Sequence, residues 1–283
     1  MNPVASLRFT KMHGAGNDFV VIDLRGGQAG PGPDQVRALG NRHTGIGFDQ
    51  LLAIQDSGRD DCVAGYRIWN IDGSPAGQCG NGARCVAAWL QRDGVAPGPR
   101  FRLDSPAGPI EVEHRGGDRY ALGMGRPVFE PAGVPLRVEA EAARYTLALG
   151  CGRVGFGAVS IGNPHAVIEV PSVEQADVAR LGPELQARPE FPEGVNVGFA
   201  QVLARDHVRL RVFERGAGET LACGSGACAA VAVLVRQGRV DRRARVELPG
   251  GTLDITWPSD ADAITMAGPT AFVFEGETGL SRP

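Results

Sequence analysis

Two segments of this chain combine a cysteine with a backbone suited to binding: CGNGARCVAAWL, from Cys79, and CGSGACAAVAVL, from Cys223. In each, Gly-x-Gly follows the cysteine and an apolar run follows the glycines. Bare glycines let a ligand come close to backbone N–H groups. The first N–H groups of a helix have no partner within it, and with the helix dipole they form an anion site. The same field favours a thiolate, so both cysteines are expected to ionise below the ~8.5 of a free thiol. Each segment thus offers a reactive sulfur beside a place for a carboxylate. The spacings Cys-x5-Cys and Cys-x4-Cys, with His165 isolated, fit zinc poorly, and no metal is expected. Cys62, Cys85, Cys151 and Cys228 read as small buried hydrophobes.

Two such cysteines allow three chemistries. One is a redox disulfide. Another is nucleophilic catalysis, which needs one cysteine and a base rather than two equivalent sulfurs. The third is two-base proton transfer: one thiolate takes a proton from carbon, and the opposite thiol returns one to the other face, inverting the centre. Only the third calls for duplication, because the reverse reaction exchanges the two roles. Acidifying an amino-acid α-carbon often relies on pyridoxal phosphate held by a lysine. The sole lysine is Lys11, with no phosphate cradle near it, so a cofactor-free reaction is expected. The charge would instead be held by helix N-termini.

The duplication extends beyond the cysteines. Cys79 and Cys223 lie 144 residues apart, and nine residues before them stand Asn70 and Glu214. GNDFVVI from Gly16 matches GNPHAVI from Gly162, placing Asn17 on Asn163 at an offset of 146. The same offset puts Gln50 of GFDQ on Asn196 of GVNVGF. Four anchors in one order imply two related halves facing a cleft, each contributing one cysteine. The boundary is expected in GMGRPVFEP, from Gly123 to Pro131, where Gly and Pro interrupt the pattern. The halves become 1–123 with 268–283, and 124–267.

The elements that would carry these residues are strand-rich. Strand patterns fall on Phe19–Asp23, Tyr66–Asn70, Tyr120–Met124, Ala166–Val170, His207–Phe213, Arg245–Leu248 and Leu253–Trp257. Helices are expected over Ala83–Arg92 and Ala227–Gln237, apolar on most faces and so central to each half. Shorter helices fit Asp34–Arg42 and Val173–Leu181. Few helices among many strands, without a βαβ rhythm, indicate an α+β fold with curved sheets around a helix. A net charge of −3 gives no basic footprint for nucleic acid or an anionic membrane. MNPVASLRFT has no apolar core of a signal peptide, and the Ala227–Val235 run is too short to span a bilayer. A cytoplasmic protein is expected.

These motifs resemble those of the diaminopimelate epimerases. KMHGAGNDF from Lys11, GFDQ from Gly47, NIDGSPAGQCGNGARC from Asn70, GNPH from Gly162, GVNVGF from Gly194 and ERGAGETLACGSGACAAVA from Glu214 occur in the family's order. The resemblance implies two pseudo-symmetric α+β halves, no cofactor, and inversion of LL-2,6-diaminopimelate to the meso isomer, which feeds lysine and peptidoglycan synthesis. It implies Cys79 and Cys223 as the acid/base pair, with His165 and Glu214 tuning the thiols. It implies that Asn17, Gln50, Asn70, Asn163, Asn196, Glu214 and Arg215 hold the substrate, Arg215 as a two-pronged carboxylate partner. Backbone N–H groups at Gly80, Asn81, Gly224 and Ser225 would hold the reacting carboxylate. A homodimer is common in the family. Rival readings are a proline racemase-like enzyme, a phenazine-pathway isomerase relative, a redox or regulatory protein, and a non-catalytic amino-acid binder.

Overall fold

The computed structural model describes residues 6–279. The first five residues, read above for a leader, and the last four of the C-terminal stretch lie outside the described residues. The chain forms two compact units, one from the described residues up to Leu122 with those from Gly268 onward, the other Gly123–Ala267.

The first unit holds β1 (Ser6–Gly14), β2 (Asn17–Asp23), α1 (Pro33–Gly40), β3 (Gln50–Gln55), β4 (Ala64–Asn70), β5 (Pro75–Ala76), α2 (Gly80–Arg92), β6 (Arg100–Ser105), β7 (Gly108–His114) and β8 (Arg119–Gly123). Its ladder runs β1–β2 antiparallel, β2–β3 parallel, β3–β4 and β4–β5 antiparallel, β4–β6 parallel, then β6–β7 and β7–β8 antiparallel. The C-terminal strand Ala271–Gly279 pairs antiparallel with β1.

The second unit holds β9 (Tyr145–Leu149), β10 (Gly152–Ser160), β11 (Pro164–Glu169), α3 (Val178–Gln186), β12 (Asn196–Ala204), β13 (His207–Glu214), β14 (Gly218–Thr220), α4 (Gly224–Arg236), β15 (Arg243–Leu248), β16 (Gly251–Thr256) and β17 (Thr265–Pro269). After the β9–β10 hairpin, the ladder from β10 to β17 repeats the β1-to-β8 order of parallel and antiparallel pairs. In both units one helix links the parallel pair, and a longer one follows the short strand. The sequence repeat is therefore a repeat of strand pairings, and the fold is α+β with two pseudo-symmetric halves.

Each long helix is at the centre of its own unit. All of α4 from Gly226 to Leu234 is buried, as are Asn81 to Ala88 of α2. Small side chains make this possible: Ala, Gly and Cys let strands pack close on every face. α2 packs on β1, β2 and β3, and α4 on β10, β11 and β12.

Three expectations need correction. The helix expected over Val173–Leu181 is α3, five residues later. At its expected start the Ser172 Oγ accepts from the Gln175 N–H, and the Val173 N–H donates to Gln201, so that stretch is a turn. Cys151 is exposed, because it lies in the turn of the β9–β10 hairpin. The third concerns Cys223 and follows below. Among the described residues no helix is long and apolar enough to cross a membrane.

Candidate active site

In the first unit Cys79 is the N-cap of α2. Its backbone is extended (φ −149°, ψ 104°), and its Sγ accepts from the Gly82 N–H at 3.4 Å. The cysteine thus takes a role usually held by Ser, Thr, Asp or Asn. The N–H groups of Gly80 and Asn81 open the helix and belong to the set without intrahelical acceptors. Asn17 begins β2 and Gln50 begins β3, on adjacent strands. The Gln50 Nε2 donates to Asn70 Oδ1 at 3.0 Å across a register pair of β3 and β4. The Asn81 Nδ2 donates to Asn17 Oδ1 at 2.5 Å, so these expected substrate residues are themselves linked. Tyr66 is fully buried, and burial together with the charge of Cys79 pushes its phenol up.

Lys11 is in a structural ion pair. Its ammonium reaches Asp18 at 2.5 Å and donates to the Gly47 carbonyl. Arg42 also binds Asp18. Burial works against the Asp18 carboxylate, but the bonds from Arg42 and Lys11 prevail and bring it to about 2. Lys11 is committed to holding the loop before β3.

In the second unit Cys223 caps α4 with the same extended backbone (φ −124°, ψ 108°). Its Sγ lies 3.6 Å from Ser225 Oγ. That hydroxyl is 3.0 Å from His165 Nε2, which is also 3.0 Å from Asn163 Oδ1. Burial, then the charge of Arg215, pulls His165 down to about 3, so its ring is neutral at physiological pH. Asn196 pairs in register with His165, donates to the Pro164 carbonyl at 3.0 Å and accepts from the Arg215 N–H at 2.9 Å. The Arg215 guanidinium donates to the Glu193 carbonyl at 2.7 Å. Thr220 donates to Glu214 Oε1 at 2.5 Å and so aims the carboxylate.

Cys223 corrects the expectation of a lowered thiol pKa. It is 5% exposed, and burial pushes its thiol well above the ordinary range, with the Glu214 carboxylate adding to the effect. Bonds from Ser225 and the Gly226 N–H act the other way and are outweighed. Charge in a desolvated place costs more than a helix terminus returns. Cys223 is therefore a thiol at neutral pH, the form that donates a proton.

The second unit thus gathers Cys223, Glu214, His165, Asn163, Asn196, Arg215 and Ser225 around the start of α4. In the first, Cys79 and Asn81 stand at the start of α2 with Asn17 bonded to Asn81, and Gln50 is bonded to Asn70 across β3 and β4. Sequence reasoning missed Arg84, Asp49 and Thr220, and missed the Ser225 hydroxyl as the link between His165 and Cys223. A serine two residues after the capping cysteine, in Cys223-Gly224-Ser225, was the available signal for the last. A surface cavity of about 490 Å³ beside Leu24, Gln55, Arg67 and Trp69 has neither cysteine in its lining. Among the described residues no group of three or more His, Cys, Asp or Glu is placed to hold a metal.

Known proteins resemble this chain in sequence and in fold. The family model described as diaminopimelate epimerase matches residues 9–130 and 157–273. Diaminopimelate epimerase of Xanthomonas axonopodis pv. citri (strain 306) is 59% identical over 272 residues, 96% of each chain. The Xylella fastidiosa (strain M12) protein of that name is 56% identical over 271 residues, 95% of each chain. An O-ureido-serine racemase of Streptomyces lavendulae is 56% identical over 278 residues, 98% of this chain and 96% of its own. Among solved structures, a hydroxyproline epimerase of Agrobacterium vitis superposes with a TM-score of 0.70 at 18% identity, covering 98% of this chain and 94% of its own. A PhzF-family phenazine biosynthesis protein of Bacillus anthracis gives 0.66 at 14%, covering 97% and 99%. Those two show the fold, whereas the match over nearly the whole chain shows the lineage: this chain belongs to the diaminopimelate epimerase family.

Proposed function

We propose that the chain is a cofactor-independent epimerase that interconverts LL- and meso-2,6-diaminopimelate by proton transfer between Cys79 and Cys223. The observation that carries this is the duplicated cysteine cap: two sulfurs, each at the start of a central helix, at equivalent points of one repeated ladder. The Cys79 thiolate takes the α-proton, and the electrons of the broken C–H bond pass into the carboxylate. N–H groups at Gly80, Asn81, Gly224 and Ser225 stabilise that charge. The Cys223 S–H bond then breaks as its proton goes to the opposite face of the carbon. One thiolate and one thiol remain, with roles exchanged, so the reverse reaction uses the same groups.

His165 and Glu214 tune the two thiols. Asn17, Gln50, Asn70, Asn163, Asn196, Glu214 and Arg215 bind the substrate, with the Arg215 guanidinium suited to the distant carboxylate. The product serves lysine and peptidoglycan synthesis in the cytoplasm. A homodimer is part of this reading, with support from Phe272, Val273 and Phe274, large apolar side chains 39–55% exposed on the C-terminal strand.

A second reading is racemisation of O-ureido-serine, favoured by the Streptomyces lavendulae relative, which is as similar as several of the epimerases. The proton chemistry is the same and only the far end of the substrate differs. Reduced protein in D2O with LL-diaminopimelate, and separately with O-ureido-L-serine, separates the readings by NMR. Deuterium at the α-carbon with meso product supports the first. Turnover of O-ureido-serine alone replaces it with the second, and exchange in neither refutes both.

A further inference from the structure

Arg84 is fully buried, yet it lies on α2 among Ala83, Cys85 and Val86, where an aliphatic side chain would fill the space without a charge to desolvate. Its bonding suggests what it is kept for. The Arg84 Nη2 donates to Asn81 Oδ1 at 2.8 Å. The Asn81 Nδ2 donates to Asn17 Oδ1 at 2.5 Å. The Asn17 Nδ2 donates to Asp49 Oδ2 at 3.3 Å. An amide can usually turn over and exchange its oxygen and nitrogen. Here it cannot. A guanidinium only donates and an ionised carboxylate only accepts, so the two ends of the chain dictate the direction of every bond between them. Turning Asn81 over would aim an N–H group at the guanidinium. Turning Asn17 over would aim its oxygen at the Asp49 carboxylate.

The Asp49 end is itself anchored, through Arg42 at 2.8 Å and the Asp18 N–H at 3.2 Å. Asn17 is half-buried, and one hydrogen of its Nδ2 is not used by Asp49. The amide therefore presents a donor in a set orientation, as a carboxylate on a substrate requires.

We propose that Arg84 is a positioning residue for substrate binding: acting through Asn81, it fixes the Asn17 carboxamide with its N–H group turned toward the ligand. This rests on the epimerase reading above, in which Asn17 binds substrate.

The test compares Arg84→Met, Arg84→Lys and Asp49→Asn with the wild-type enzyme. Arg84→Met leaves the Asn81 and Asn17 amides free to turn over. Its KM rises about five- to tenfold, the worth of one hydrogen bond, while kcat changes less than about twofold. Arg84→Lys restores a donor-only cation, and KM returns to within about threefold of wild type. Asp49→Asn releases the chain at its other end and raises KM similarly, which keeps the test open if Arg84→Met does not fold. A substrate-free readout is the Asn17 side-chain NH2 signal in 1H–15N spectra, identified by its loss in Asn17→Asp. It is a single sharp pair in wild type and is broadened or doubled in Arg84→Met and Asp49→Asn. A folded Arg84→Met with wild-type KM and an unchanged Asn17 signal overturns the proposal. Absence of turnover in the wild-type enzyme refutes the epimerase reading instead, and the amide signals then judge the Asn17 orientation separately.

Discussion

The equivalent glycines Gly82 and Gly226 allow the duplicated site to be tested by one substitution made twice. Each is the third residue of its helix, so alanine gains about 1 kcal/mol of helix propensity in both. What the added methyl meets differs. At Gly226 a Cβ would lie 3.2 Å from Cys223 Sγ and 3.0 Å from Val212 Cγ2. At Gly82 it would lie 3.1 and 3.3 Å from the Leu52 methyls and 3.4 Å from Phe19 Cε1. Ordinary contact begins near 3.4 Å, so Gly226→Ala must move the sulfur by a few tenths of an ångström, whereas Gly82→Ala presses on core side chains. Overpacking costs about 1–3 kcal/mol, leaving each variant about 0–2 kcal/mol less stable after the helical gain. Catalysis should separate them. A sulfur aligned for proton transfer loses about tenfold in kcat when displaced by that distance, as an ångström can cost about a hundredfold. Gly82→Ala should stay within about threefold of wild type. Thermal melts, kcat and α-deuterium exchange on purified variants measure this. A Gly226→Ala enzyme with wild-type kcat, or equal kcat losses in the two variants, refutes the reasoning.

Glu214→Gln keeps an oxygen for the Thr220 hydroxyl but removes the charge that raises the Cys223 thiol. The pH midpoint for alkylation of Cys223 should therefore move down; an unchanged or raised midpoint contradicts the assigned cause. Cys79→Ser and Cys223→Ser should each abolish net epimerisation, read as meso product by chiral chromatography, while one-sided α-proton exchange can survive in either. Asp18→Asn tests the network around Lys11. The Asp18 carboxyl lies at about 2 in the folded state against 3.8 unfolded, so its stabilisation is present above the unfolded value and lost as pH falls toward 2. Its side chain is 20% exposed, and the variant should lose about 2 kcal/mol at pH 7, with the difference shrinking in melts below pH 4.

Much of this site was legible as pattern, and what escaped had a physical reason. The repeat of Asn17 on Asn163 and Gln50 on Asn196 was visible because polar residues interrupted apolar strands at one offset. The two helices were visible from their apolar runs, but their starts were read three residues late. Gly80, Gly82, Gly224 and Gly226 have poor helix propensity, and packing overrides it: methyl groups at Gly82 and Gly226 would press on Leu52 and Val212. Once the helices start at Gly80 and Gly224, each cysteine becomes the cap itself. α3 was misplaced because Gly182 and Pro183 argue against a helix, yet a Cβ at 182 would come within 2.5 Å of the Phe213 ring, so only glycine lets α3 settle on β13. Arg84 was hidden because one charge in an apolar run says nothing about its partners.

The Cys223 thiol was misjudged for a more general reason: a helix terminus can be read from sequence, whereas burial depends on the whole unit. That difference bears on mechanism. The backbone of the two halves repeats strand for strand, but their electrostatics do not. Around Cys223 stand a carboxylate and a neutral imidazole, and both burial and charge favour the thiol. Beside Cys79, α2 carries the Arg84 guanidinium, and the neighbouring polar groups are mainly amides. An epimerase acts on two diastereomers that differ in energy and keep one distant stereocentre fixed. Unequal sulfurs suit unequal substrates: burial and the Glu214 carboxylate favour the thiol form of Cys223, and the prediction is that the isomer offering its α-hydrogen to Cys79 is turned over first. If Cys79 is the sulfur alkylated first at neutral pH, the assignment stands; preferential alkylation of Cys223 in the folded enzyme would reverse the direction of resting proton transfer.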